Sequence, residues 1–337
     1  MSSIKQNRDL EFPPESIHGI YGVNYYFQTE NNTMQRLQFE VAVVFCGQYM
    51  KNYYKYRINK NQFIVNRNES GEYLYDIAKK CANTIYPVTV LIDRNRIPVY
   101  IKIENIANKW EATKAELTRY YKGETAMQYM DNVKNFLNNK AEWSRIITDD
   151  LFLSNLFSIL GHKEENHSFD CEITVAPFRT RLSFDCVQYT DNESIEPEES
   201  DIINIIREGI TNRPYTSDLL NQQAPKHIKG YIGKLSSKFK LNYTLEKASM
   251  SIESIEGNLD ILVDDKCISN TKFTAFRLYE KSLPYGQDFN PVETEEQQPA
   301  SSNTLWSKIK SFFKNIEYER EISGMQRSYS LLHQVND

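Results

Sequence analysis

Four side chains stand close enough along the chain to ligate a metal together: His162, His167, Cys171 and Cys186. Two imidazoles and two thiolates would satisfy a tetrahedral zinc ion. Their spacing matches no familiar finger, however, and Cys171 and Cys186 fall in strand-like segments where a small apolar residue fits as well. No metal and no cofactor are therefore expected. Two adjacent carboxylate pairs, Asp149-Asp150 and Asp264-Asp265, have the residue type needed for acid/base work or cation binding. A helix start accounts for the first pair and a hairpin turn for the second.

A third group has nucleic-acid chemistry. Lys51, Lys55, Arg57, Lys60 and Arg67 interleave with Tyr49, Tyr53, Tyr54, Tyr56 and Phe63, residue types that neutralise phosphate and stack bases on a sheet. The competing reading is a half-buried strand with basic side chains turned outward. A net charge of −5 gives no whole-molecule basic field, so nucleic acid is not the expected partner. The nucleotide P-loop, the dinucleotide-binding glycine pattern, the GxSxG nucleophile elbow and the HExxH zinc helix are all missing from the sequence. An enzyme is not the expected reading, although dispersed catalytic residues would leave no such trace.

The strongest recognition signal lies near the C-terminal end. Residues 304–320, TLWSKIKSFFKNIEYER, carry Leu305, Ile309, Phe312, Phe313 and Ile316 as an apolar stripe with Trp306 beside it. Thr304 is a candidate N-cap, and Lys308, Lys310 and Lys314 lie off the stripe. Such a helix docks in a groove of the same chain or of another protein, with Trp306 or Phe312 as anchor. Contact with a membrane surface is disfavoured, because Glu317 and Glu319 stand in the same stretch.

These residues need a scaffold, and the composition describes one. The chain has 337 residues, 22 Tyr and 17 Phe but only 12 Gly, which makes it globular and large enough to bury a core without staples. Its five scattered Cys lack any CxxC pair, as reduced thiols would. No secretory h-region and no apolar run of about 18 residues is present, so a cytoplasmic chain without a transmembrane segment is expected.

Residues 19–66 alternate with period two in the runs IYGVNYYF, LQFEVAVVF, YYKYRI and QFIVN, separated by NNT and NKN: a β-meander. Residues 72–85 switch to helical spacing and end at Pro87, and 88–103 read as a hairpin. Between 105 and 160 two or three helices are expected. Asn105 is a candidate cap, Gly123 a break, and Asp149 or Asp150 caps a last helix, Leu151 to Leu160, that is apolar almost all round and so should be buried between layers. Residues 169–189 form a strand pair, 201–210 (DIINIIREGI) a short helix capped by Ser200, 211–226 a loop, and 231–279 three or four strands.

The expected fold is α+β, with two antiparallel, curved β-rich halves, helices packed between them and a tethered C-terminal amphipathic helix. The domain reading is 1–165, 166–283, a linker at 284–303 rich in Pro, Gln, Glu and Ser, and 304–337. The expected function is a non-catalytic protein-protein interaction module, an adaptor or structural subunit of a larger bacterial assembly that meets a protein partner or further copies of itself. The alternative is a carrier that holds an apolar small molecule or lipid in a curved half-barrel.

Overall fold

A computed structural model describes residues 12–29, 34–65, 72–93, 98–159, 167–175, 180–191, 201–213, 215–216 and 232–279. The stretch 284–337, with Leu305, Trp306, Ile309, Phe312, Phe313 and Ile316, lies outside the described residues, as do Arg67, Leu160 and His162. The described residues all fall within one compact unit, Met1–Pro284.

The aromatic, β-branched N-terminal runs form a meander of three long strands, β1 (Gly19–Thr29), β2 (Met34–Tyr49) and β3 (Tyr53–Val65), after a single 3-10 turn at Pro14–Ile17. Helix α1 (Glu72–Ile85) leads into the hairpin β4 (Val88–Asp93) and β5 (Pro98–Ile103). Four helices follow: α2 (Ile106–Tyr120), α3 (Glu124–Asn138), α4 (Lys140–Thr148) and α5 (Leu151–Ser158). The remaining strands are β6 (His167–Val175), β7 (Thr180–Thr190), β8 (Ile202–Thr211), the two-residue β9 (Tyr215–Thr216), β10 (Lys234–Glu246), β11 (Ile252–Val263) and β12 (Lys266–Arg277).

Among the described residues every strand joins one antiparallel sheet in the order β5-β4-β3-β2-β1-β12-β11-β10-β8-β7-β6, with β9 beside β10. The first and last thirds of the strand sequence meet through β1 and β12, paired from Tyr21 opposite Arg277 to Thr29 opposite Ser269. The fold is thus α+β with a large open, curved antiparallel sheet.

Curvature follows from what α5 touches. Its side chains and backbone reach β1, β3, β8 and β10, yet β3 and β8 are six steps apart in the sheet. Six steps span about 29 Å in a flat sheet, whereas eight helical residues span about 12 Å. Only a sheet bent around α5 brings both to it. Six of the eight α5 residues are buried, so the all-round apolar pattern has the physical cause expected of it. The Tyr21 and Phe152 rings lie 5.5 Å apart from centre to centre, as do those of Tyr56 and Phe157. A second, smaller core of Ile77, Cys81, Trp110, Leu117, Ala126, Met130 and Leu137 holds α1, α2 and α3 to one another.

Four expectations are corrected. Residues 202–211 form strand β8 and not a helix: Ile205, Arg207 and Gly209 alternate inward, which is the period of a strand, and the isoleucine-rich run suits a pleated surface. Asn59-Lys60-Asn61 is not a break but the middle of β3, where Lys60 turns inward; the irregularity falls at Gln62, whose φ of 55° accompanies a shift in the β2–β3 register. Asn105 makes no side-chain cap bond. It sits in the left-handed region, which asparagine tolerates better than most residues. Helix α4 had no counterpart in the expected boundaries, and its cap is Asn139, whose side chain accepts from the Glu142 N–H.

Candidate functional site

The buried charged side chains of the sheet's inner face, Lys60 and Arg207, stand at the two ends of α5. At the N-terminal end Asp150 caps the helix, accepting from the Leu153 N–H at 2.9 Å, and the Tyr25 hydroxyl accepts from the Phe152 N–H at 2.9 Å. Lys60 from β3 reaches the other Asp150 oxygen and lies 4.4 Å from the centre of the Phe39 ring. At the C-terminal end Tyr243 donates to the Asn155 carbonyl at 3.2 Å, and the Arg207 guanidinium donates to the hydroxyl and the carbonyl of Ser158. A carboxylate thus stands at the positive end of the helix dipole and a cation at the negative end.

Arg207 is the buried centre of a second polar group. Directly across the β7–β8 ladder from it, Gln188 accepts from its Nη2 at 2.7 Å and its Nε at 3.1 Å, while the Phe169 and Tyr243 rings flank the guanidinium with centres 5.3 and 5.6 Å away. No carboxylate pairs with Arg207 among the described residues. Two thiols lie on the same inner face: Cys171 on β6 and Cys186 on β7 are diagonal neighbours, with sulfurs 2.6 Å apart. Both are free cysteines. The hydrogen bond from Cys186, aided by the nearby Arg207 charge and opposed by burial, holds the Cys171 thiol below the usual cysteine range. The same bond, together with burial, pushes Cys186 up.

The other sequence candidates resolve individually. Asp149 pairs with Arg181, and Asp150 caps α5. Asp264 and Asp265 both adopt positive φ in the β11–β12 turn, where Asp264 accepts from the Lys234 N–H at 2.8 Å beside the positive-φ Gly233. In the basic and aromatic group Tyr56 is fully buried and Lys60 nearly so, which leaves Lys51 and Lys55 exposed near the β2–β3 turn. Among the described residues no group of three or more His, Cys, Asp or Glu is arranged to hold a metal ion. A shallow cleft of about 210 Å³, open to solvent, lies between α4, α5, β4 and β5 and is lined by Val90, Ile101, Ile147, Leu153 and Phe157 among others.

The outer face was not singled out in the sequence. There Arg36 and Gln38 donate to Asn24, and Asn270 donates to Asn258 and Asp260 across neighbouring strands. Further along, the outward side of β8 alternates apolar and polar residues: Ile210 is 64 % exposed, Ile202 and the half-buried Ile206 lie on the same side with Asn204 and Glu208 between them, and Val187 on β7, 40 % exposed, stands opposite Glu208. Read with period two, DIINIIREGIT would have shown this outward set and the inward Arg207 together.

The site and sheet define an α+β protein in which an open, curved antiparallel sheet bends around its own helix. No protein-family profile and no curated protein matches the chain. Among solved structures it is similar to lipovitellin, in a structure of lipid-protein interactions, with a TM-score of 0.41 and 9 % identity over 80 % of this chain and 25 % of that one. The chain therefore spans about a quarter of that protein's length. No described helix is long and apolar enough to cross a membrane.

Proposed function

We propose that the protein is a non-catalytic interaction module, an adaptor or structural subunit of a larger cytoplasmic assembly, which uses the outer face of its sheet for contact. The observation that carries this reading is the set of large apolar side chains Ile202, Ile210 and Val187 exposed on the side of the sheet that faces away from the core, with the half-buried Ile206 among them and Asn204 and Glu208 interspersed. Lys238 and Lys240 on β10 stand opposite Ile210 and Glu208, which gives this set the charged margin typical of contact surfaces. The inner face supports the same reading from the other side, since α5 occupies the space that a carrier would need for cargo. The apolar stripe at residues 304–316 is the second contact element in this proposal.

The test is affinity purification of the full chain from its own cells, beside an Ile210→Asp/Val187→Asp variant and a chain lacking residues 300–337. The expected outcome is a defined co-purifying protein, or a defined oligomer by light scattering, that both changes weaken. If neither change alters partners or mass, the interaction reading fails. A lipid or other apolar molecule released from the intact chain in native mass spectra would instead favour a carrier.

A further inference from the structure

Inside the sheet, on β6, β7 and β8, one arrangement goes beyond a contact surface. The β6–β7 register sets Phe169 opposite Cys186 and Cys171 opposite Phe184, so the two cysteines are diagonal neighbours with both side chains turned inward. Their sulfurs meet at 2.6 Å. Cys186 is completely buried, whereas Cys171, on the last strand of the sheet order, is partly exposed. Space for the Cys186 sulfur comes from Gly209, directly opposite on β8, where an added Cβ would come 3.1 Å from it. The Arg207 cation stands on the same face, two residues from Gly209, with Gln188, Ser158 and two aromatic rings as its neighbours and no carboxylate among the described residues. A buried guanidinium without a carboxylate favours whatever nearby group can become an anion.

We propose that Cys171 and Cys186 form a reactive dithiol that a hydroperoxide oxidises reversibly to a disulfide, with Cys171 as the attacking sulfur and Cys186 as the resolving one. The Cys171 thiolate attacks one peroxide oxygen, the O–O bond breaks, and hydroxide leaves and takes up the proton that Cys171 had released to water. Cys171 is now a sulfenic acid. The Cys186 sulfur attacks it, the S–O bond breaks, and the hydroxyl leaves with the Cys186 proton as water. Two thiols lose two electrons and hydrogen peroxide becomes two waters. An external dithiol restores the reduced pair by exchange. The other thiols fit this role poorly: Cys81 is buried among α1, α2 and α3, and Cys46 and Cys267 are exposed residues whose thiols burial pushes up and which have no second sulfur beside them among the described residues.

The experiment uses the full chain, reduced and then exposed to stepwise hydrogen peroxide, followed by alkylation under denaturing conditions and peptide mapping. The alkylatable thiols are expected to fall from five to three, with the peptides of Cys171 and Cys186 linked and released again by dithiothreitol. In a Cys186→Ser chain a sulfenic-acid trap such as dimedone is expected to mark Cys171. Loss of Cys46 or Cys267 before Cys171, or retention of all five thiols at peroxide levels that oxidise exposed cysteines, overturns the proposal. Mapping of the unsubstituted chain decides the matter even if the Cys186→Ser chain does not fold.

Discussion

Lys60 in the middle of β3 and Asp150 at the start of α5 form an ion pair ninety residues apart in the chain, with the lysine side chain 4 % exposed and the aspartate 17 %. The pair fixes the position of α5 within the sheet. Asp150 has two oxygens and uses both, one for the Leu153 N–H and one for Lys60, so a single carboxylate caps the helix and anchors it to the N-terminal meander. Arg207 and Tyr243 perform the matching task at the other end from β8 and β10. The central helix is therefore held by side chains from both halves of the sheet.

Removing one member of this pair leaves the other charge in a largely dry site. Lys60→Met is expected to cost about 3 kcal/mol, the lower part of the range for broken buried pairs, because Asp150 keeps some contact with water. Asp150→Ala is expected to cost about 1 kcal/mol more than Asp150→Asn, which retains a side-chain oxygen for the cap. Urea unfolding followed by circular dichroism measures all three. A Lys60→Met chain as stable as the parent would show that α5 does not depend on the pair.

His18 makes stability depend on acid in a defined direction. Burial, reinforced by the Arg277 charge, holds its imidazole below the ordinary value of 6.5, and its Nδ1 accepts from the Phe45 N–H at 3.2 Å, which only the neutral ring can do. The folded state thus binds a proton less readily than the unfolded one. The contribution is complete above about pH 6.5 and is lost as the pH falls from there through the lower folded value. His18→Asn, which offers an acceptor oxygen and does not titrate, is expected to flatten the decline in melting temperature between pH 7 and 5 relative to the parent chain. Parallel declines in the two proteins would contradict this.

Much of the architecture was legible in the sequence because the decisive signals were local. The alternation of Phe39, Val41 and Val43, the helical spacing of residues 72–85 and the all-apolar α5 each reflect one element meeting one environment. Strand β8 was illegible for the opposite reason. Arg207 reads as a solvent-facing charge until Gln188, Ser158 and two rings from distant segments surround it, and without that knowledge the isoleucines suit either period. The dithiol lies between these cases. Both strands were expected, but contact between the sulfurs depends on the register that sets Val175 opposite Thr180. The extra helix α4 carries only two buried residues, Trp143 and Ile147, too few for a clear stripe.

Buried tyrosines give the alkaline counterpart. Tyr21, Tyr25 and Tyr243 are all raised above the usual value of 10, chiefly by burial. In the unfolded chain they ionise near pH 10, so the stability they contribute is complete below that pH and is lost as the pH rises above it. Tyrosinate absorbance near 295 nm is expected in two stages, exposed rings first and these three only as the strand signal in circular dichroism collapses. Smooth ionisation of all 22 tyrosines while the strand signal persists would refute the assignment.

The last prediction concerns two glycines that let aromatic rings cross the inner face. Gly257 on β11 pairs directly with Phe273 on β12, and Gly209 on β8 with Phe239 on β10. In each case a Cβ would overlap the ring of the paired phenylalanine, and at Gly209 it would also press on the Asp185 carbonyl at 3.0 Å. Any added side chain displaces a ring that belongs to the core, since Phe273 and Phe239 are both buried. Gly257→Ala is therefore expected to destabilise the fold by about 1–3 kcal/mol, the usual range for overpacking. In a Phe273→Leu background the same change should cost about 1 kcal/mol less, because the smaller side chain vacates the space, and this non-additivity separates ring crowding from a general effect on strand backbone. Equal costs in the two backgrounds would mean that the ring is not what the alanine meets.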